Sequence, residues 1–178
     1  PVPNSAWKSK KALSLFRYLI THRQQKTHKD VLLNLFWPDE DPEDASGRLH
    51  TTVYFVRRMI QPDRSAHDGA SYIRFGDGMY WFEAEDTWID VDEFLSCFDQ
   101  GVALEATDPE RALEYYRKAL VLYRGDFLPE EAYADWTEPR RSELRELFVT
   151  LSLRASYLLA RQPGGASECA DRMTAMSS

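Results

Sequence analysis

The chain has 178 residues, 43% hydrophobic and 13% aromatic, which is enough for one large domain or two small ones and too apolar for wholesale disorder. No run approaches the roughly 18–20 apolar residues that span a bilayer and no signal peptide opens the chain, so a soluble, cytoplasmic protein without a membrane partner is expected. The net charge of −7 is uneven: residues 1–64 carry 11 Lys/Arg against 7 Asp/Glu, and residues 65–178 carry 11 against 22. A polyanion would therefore meet the first part of the chain and be repelled by the second.

A first helix is expected from about Ser9 to His22, with Leu13, Phe16 and Ile20 at helical spacing as its apolar stripe and Lys10, Lys11 and Arg17 outside. Thr27-His28-Lys29-Asp30 reads as a capping box that opens a short helix through Val31, Leu32, Leu35 and Phe36. Trp37-Pro38 ends it, because the residue before proline is driven out of the α region. Asp41-Pro42-Glu43-Asp44 then combines a cap, a first-turn proline and two acids, and starts a third helix reaching Ile60. Residues 64–71 read as loop. Tyr72–Phe75 and Met79–Phe82 flank Gly76-Asp77-Gly78 and give the clearest hairpin in the chain. Three helices and a hairpin in that order predict a winged helix over residues 1–86, the hairpin forming the wing.

From Asp90 the chain turns helical again, with Phe94, Phe98 and Val102 on one face. Asp108-Pro109-Glu110 starts a helix whose stripe is Ala112, Leu113, Tyr116, Ala119, Leu120 and Tyr123. Asp135–Pro139 caps a long helix carrying Leu144, Leu147, Phe148, Leu151, Ala155, Leu158 and Leu159, closed by Pro163-Gly164-Gly165 and followed by a last amphipathic stretch. Residues 87–178 are thus a helical domain, either tetratricopeptide-like pairs or a generic bundle.

The third helix is where chemistry is concentrated. Leu49, Val53, Val56 and Ile60 fall within about 60° of arc and form its packed face. The opposite face carries Gly47, Thr51, Tyr54 and Arg58, with Phe55 and Arg48 to one side and His50 and Arg57 at the margin. Thr51 and Arg58 suit base edges; Arg48, His50 and Arg57 suit phosphates, as do Lys29 on the second helix and Arg74 on the wing. The adjacent aromatics Tyr54 and Phe55 mark contact with something: thymine methyls, a partner protomer or the helical domain. Double-stranded DNA is one partner this face suits; a solvated helix with ordinary surface cations, its aromatics meeting a protein surface, is the other reading.

An enzyme is not expected: GxxxxGK[ST], HExxH and GxSxG are all missing from the sequence. No cofactor or metal is expected either. Asp90-Val91-Asp92-Glu93 lacks the glycine and spacing of a calcium loop and reads as helix N-terminal acids. The four histidines have no ligand spacing. Cys97 and Cys169, far apart and without a CxxC partner, read as buried or idle thiols.

Trp37-Pro38-Asp39, Leu49-His50-Thr51-Thr52-Val53 and Val56-Arg57-Arg58 resemble the OmpR-type winged helix of bacterial transcriptional activators. Ile89–Phe94, the run Ala119–Leu128 with its Leu-Tyr-Arg-Gly-Asp-Phe-Leu segment, and Asp135-Trp136 resemble the companion bacterial transcriptional activator domain. Together they are similar to the Streptomyces antibiotic regulatory protein family over roughly residues 7–162. The resemblance implies an activator that sits on promoter direct repeats, as a possible homodimer, and contacts RNA polymerase. It aligns Lys29 with the family's basic residue on the second helix and Arg57-Arg58 with its Leu-Arg-Arg turn. The chain departs from the pattern at Tyr54 and Phe55, where the family commonly has a polar residue and an arginine. It also starts too late for the family's N-terminal sheet and ends inside what looks like another repeat helix, which implies a piece of a longer regulator. The alternative function is a protein-interaction scaffold whose winged helix packs through Tyr54 and Phe55 rather than on DNA.

Overall fold

The computed structural model describes residue 7 and residues 9–62, 71–83 and 87–161. The expectations placed on Pro1-Val2-Pro3, His67, Pro163–Gly165, Cys169 and the last amphipathic stretch lie outside the described residues. The chain divides into two compact units, Pro1–Asp86 and Thr87–Ser178.

In the first unit, α1 spans Lys10–Thr21, and the Ser9 hydroxyl accepts from the Ala12 backbone N–H at 3.2 Å. Its buried residues are Ala12, Leu15, Tyr18 and Leu19. Leu13, Phe16 and Ile20 are only half-buried, so the packed face is rotated from the stripe expected. The second expectation to change is the capping box. Thr27 does not cap: it is buried, and Thr27–His28 form a short strand, β1. The cap of α2, Lys29–Phe36, is His28, whose Nδ1 accepts from Asp30 N–H at 3.3 Å. Strand pairing wins at Thr27 because it satisfies its backbone groups against the hairpin, which a helix start would leave open.

Helix α2 ends where Trp37-Pro38 requires, at Phe36. Lys11 fastens that end, its Nζ donating to the Phe36 carbonyl at 2.6 Å and lying 4.9 Å from the Trp37 ring centroid. Helix α3 spans Pro42–Ile60 with proline at its start and Glu43 and Asp44 in the first turn. Asp41 occupies the cap position but makes no side-chain cap hydrogen bond, so the proline and dipole terms define the start.

Strands β2, Ile73–Gly76, and β3, Met79–Phe82, are joined by Asp77-Gly78 alone, with Gly76 opposite Met79. The φ values of +51° at Asp77 and +75° at Gly78 are those of a type I′ turn, the reason Asp-Gly announces this hairpin. The sheet order is β1-β3-β2, all antiparallel. Ile73, Tyr80 and Phe82 face inward to join Leu15, Leu19, Leu32, Leu49, Val53 and Val56 in the core. Each such aliphatic side chain contributes about 1.5–3 kcal/mol by leaving water, and together they hold α3 against the rest of the unit.

In the second unit, α4 spans Asp90–Leu104, α5 Pro109–Leu122 and α6 Glu138–Arg161. Asp90, Asp92 and Glu93 occupy the first turn of α4, the dipole-stabilising place expected for them. Its buried face is Phe94, Cys97 and Gly101; Phe98 is half-buried and Val102 is exposed, a rotation from the expected face. Asp108 caps α5 by accepting from Arg111 N–H at 3.1 Å. Helices α4 and α5 form one hairpin and α6 packs on α5, the order of tetratricopeptide-like stacking. Burial pushes the Cys97 thiol up, with Glu93 beside it, so this cysteine is not a ready thiolate.

One polar network ties this stack. The Tyr116 hydroxyl donates to Glu105 Oε2 at 2.6 Å, and Arg154 Nη1 donates to the same oxygen at 2.7 Å. The Tyr116 hydrogen bond holds the Glu105 carboxyl below its ordinary range, against burial and with help from Arg154. Tyr116 itself is pushed up to about 12, first by burial and then by donating to Glu105. The unfolded tyrosine releases its proton near 10, so from about pH 10 upward the unfolded state binds fewer protons and stability falls. Melting curves across that range should show the fall, and Tyr116→Phe should remove this tyrosine's share of it. A slope unchanged by the exchange would refute the coupling.

Candidate nucleic-acid interface

Helix α3 buries Ala45, Leu49, Val53 and Val56 and leaves Gly47, Arg48, His50, Thr51, Tyr54, Phe55 and Arg58 exposed. The outward face is the one that the apolar spacing fixes by elimination. Its side chains are in unequal states. The Thr51 hydroxyl donates to the Gly47 carbonyl at 3.0 Å and Thr52 to Arg48 at 2.7 Å, so neither has its proton aimed outward. Arg48 Nε lies 2.7 Å from Glu40 Oε2, an ion pair out of hydrogen-bond alignment. Among the described residues Arg58 and Lys29 have no carboxylate partner.

The remaining residues bind the wing to α3. Arg57 donates from Nε (3.2 Å) and Nη2 (2.8 Å) to the Ile73 carbonyl, an anchor for β2 within the protein. Gln61 Oε1 accepts from Tyr72 N–H and Ser71 Oγ at the same hairpin end. Arg74 pairs with Glu83 at 2.8 Å. Lys29 contributes its backbone N–H to the Gly78 carbonyl at 2.9 Å, fixing the start of α2 to the wing turn. His50 and Phe75 on the wing meet edge-to-face at 6.2 Å between centroids, and Phe75 rests on Tyr80 at 4.5 Å. The structure therefore brings His50, Arg57 and Arg74 to the α3–wing junction, with Thr51, Tyr54, Phe55 and Arg58 along the open face of α3.

The sequence gives no role here to Lys26 and Gln61, and places Lys11 simply on the outer side of the first helix. Lys26 Nζ sits 4.3 Å from the centroid of Trp81 on β3, adding a cation beside the wing. Gln61 and Lys11 act as fasteners of the hairpin and of α2. Their only signal in the sequence is polar character at element ends.

The Leu122–Leu128 segment is built around a different group. Gly125 at φ +133° and Leu128 at φ +45° reverse the chain between α5 and α6. Arg141, buried on α6, donates Nε to the Phe127 carbonyl (3.1 Å) and Nη2 to the Leu128 carbonyl (3.3 Å) and Thr137 Oγ1 (3.0 Å). Its Nη1 reaches Glu138 at 2.9 Å. Asp126 faces Arg145 in a two-pronged ion pair at the surface, and that arginine holds its carboxyl below the ordinary range. Beside this segment lies a cleft of about 340 Å³ lined by Asp90, Phe94, Tyr123, Phe127 and Leu144 among others.

Among the described residues no group of three or more His, Cys, Asp or Glu side chains could hold a metal ion, and no helix is long and apolar enough to cross a membrane.

Comparison with known proteins places these observations. Residues 89–178 match the family model described as the bacterial transcriptional activator domain. The transcriptional regulator RedD of Streptomyces coelicolor is 26% identical over 131 residues, covering 69% of this chain and 37% of RedD. A solved structure of Mycobacterium tuberculosis EmbR, in complex with a low-affinity phosphopeptide, superposes with a TM-score of 0.77 at 20% identity, over 95% of this chain and 44% of the EmbR chain. The chain thus spans less than half the length of either chain it matches. The EmbR likeness shows a shared fold, winged helix followed by helical domain, and the relatives matched by family and sequence are transcriptional regulators rather than enzymes.

Proposed function

This chain belongs to the bacterial transcriptional activator domain family, and from that premise we propose that it is a DNA-binding activator whose first unit grips promoter DNA through α3 and the wing. The observation that carries the proposal is the exposed face of α3, where His50, Thr51, Tyr54, Phe55 and Arg58 stand outside a fully buried apolar stripe. Arg58 and Lys29 are the cations available to phosphates or guanine edges; Arg48 and Arg74 can join them by exchanging Glu40 and Glu83 for the duplex. Arg57 supports the interface by holding the wing rather than by direct contact. The second unit supplies the surface for RNA polymerase, and two copies on direct repeats complete the arrangement.

Binding to promoter DNA should weaken steeply with salt, since each neutralised phosphate contributes about one logarithmic unit per logarithmic unit of salt. Arg58→Ala should lower affinity about tenfold, the scale of one well-made contact, while Arg124→Ala in the acidic unit should leave it unchanged. Fluorescence anisotropy titrations at several salt concentrations measure both. Affinity indifferent to salt and to Arg58 would favour the second reading, a docking surface for protein centred on Tyr54 and Phe55.

A further inference from the structure

We infer that α3 reads thymine methyl groups, with Tyr54 and Phe55 as the specificity-determining pair; the inference rests on the DNA-binding reading above and adds what the helix recognises. Most hydrogen-bonding groups along α3 are turned back onto the protein: Thr51 and Thr52 donate to carbonyls of their own helix, Arg48 faces Glu40, and Arg57 is locked on Ile73. Beside the exposed His50 and Arg58, two aromatic rings are left projecting. Tyr54 is 58% and Phe55 51% exposed, and their rings meet at 5.8 Å in an edge-to-face pair that fixes both.

At about 100° per residue, Thr51 and Arg58 share one line along the helix, with Tyr54 about 60° to one side and Phe55 about 40° to the other. The two rings bracket the centre of the face and meet over it, forming one apolar patch. Phe75, 48% exposed on the wing beside His50, is a further exposed ring at the α3–wing junction. In the major groove the C5-methyl of thymine is the apolar feature a base pair offers, and every other edge asks for a hydrogen-bond partner. Arg58 lies on the centre line between the two rings, and Lys29 and Lys26 are further cations of the same unit, a combination that fits a polyanion carrying methyl groups. A protein partner of apolar chemistry would not need those cations.

The test uses the 178-residue protein and two pools of random-sequence duplex, one made with thymine and one with deoxyuridine, which lacks only the methyl. The thymine pool should be retained more tightly, by roughly fourfold for each methyl buried, and its enriched sequences should place thymines at neighbouring steps. The Tyr54→Ala/Phe55→Ala double variant should bind both pools alike while keeping its salt dependence. Both residues are exposed, and an unchanged melting temperature checks the fold; Tyr54→Gln and Phe55→Gln repeat the comparison singly. Sequence-selective binding equal on the two pools overturns the methyl readout and leaves DNA binding standing. Salt-dependent binding to neither pool, or self-association that the double variant abolishes, overturns both.

Discussion

Replacing Arg141 with methionine is expected to lower the melting temperature by roughly 10 °C, from a loss of about 3 kcal/mol. The side chain is buried, and its guanidinium serves the Phe127 and Leu128 carbonyls and the Thr137 hydroxyl at once. Methionine fills similar volume but donates nothing, so at least two carbonyls lose their partner in a place water reaches poorly. Leaving one such group unsatisfied costs about 1–3 kcal/mol, which sets the size of the effect. Thr137, fully buried, keeps its own donation to the Ala134 carbonyl at 2.8 Å, so the turn before α6 survives while the Phe127–Leu128 end loosens. Arg141→Lys should recover part of the loss, because an ammonium can meet one carbonyl but cannot reproduce the planar fork. Calorimetry of the three proteins measures it. Equal melting temperatures would mean that water or the backbone satisfies these carbonyls unaided, and that Arg141 is not what fastens the segment.

Asp126 is the contrasting case in the same segment. Asp126 and Arg145 are paired at short range, yet they stand in solvent, where such pairs contribute little to stability. The conspicuous residue in the Leu-Tyr-Arg-Gly-Asp-Phe-Leu segment is therefore not the one holding it. The holding residue lies some 14 positions downstream and carries no motif of its own.

How much of this was legible follows from the kind of signal each feature leaves. The buried stripe of α3 repeats at helical spacing, so its exposed face followed by geometry, and Tyr54, Phe55 and Arg58 stand where that face puts them. The Asp77-Gly78 turn demands positive φ twice, a requirement written in the dipeptide. Thr27–His28 leave no such mark. A two-residue strand has no period, and threonine before a helix suits a cap as well as an edge strand. The large residues of α1 and α4 mark one face, whereas the packed sides run through Ala12 and Gly101, the latter small because Tyr116 of α5 comes close there. Periodicity of bulk cannot report closeness. For the candidate interface the exposure of the α3 side chains was legible and their partners were not: Arg57 on Ile73 and Arg48 on Glu40 are tertiary facts.

Gly101→Ala should be destabilising by about 2 kcal/mol or more, opposite in sign to what helix propensity alone would give. Exchanging glycine for alanine inside a helix ordinarily gains about 1 kcal/mol. Here a Cβ on residue 101 would stand 2.2 Å from Tyr116 Cε1, 2.5 Å from Cδ1 and 3.0 Å from Cζ, and one of the two must move. Tyr116 is fully buried, and its hydroxyl is held by Glu105, itself held by Arg154. Turning the ring away breaks that chain; separating α4 from α5 opens the core around Phe94, Leu113 and Leu151. Either route costs more than the propensity gains. If the clash with Tyr116 is the cause, combining Gly101→Ala with Tyr116→Ala should make the first alanine harmless or favourable, because the shortened side chain ends at Cβ, without the Cδ1, Cε1 and Cζ atoms in conflict. Urea titrations of the four proteins give the coupling between the two positions. Additive effects, or a stabilised single variant, would show that α4 and α5 can part at Gly101 without cost and that the close approach is incidental.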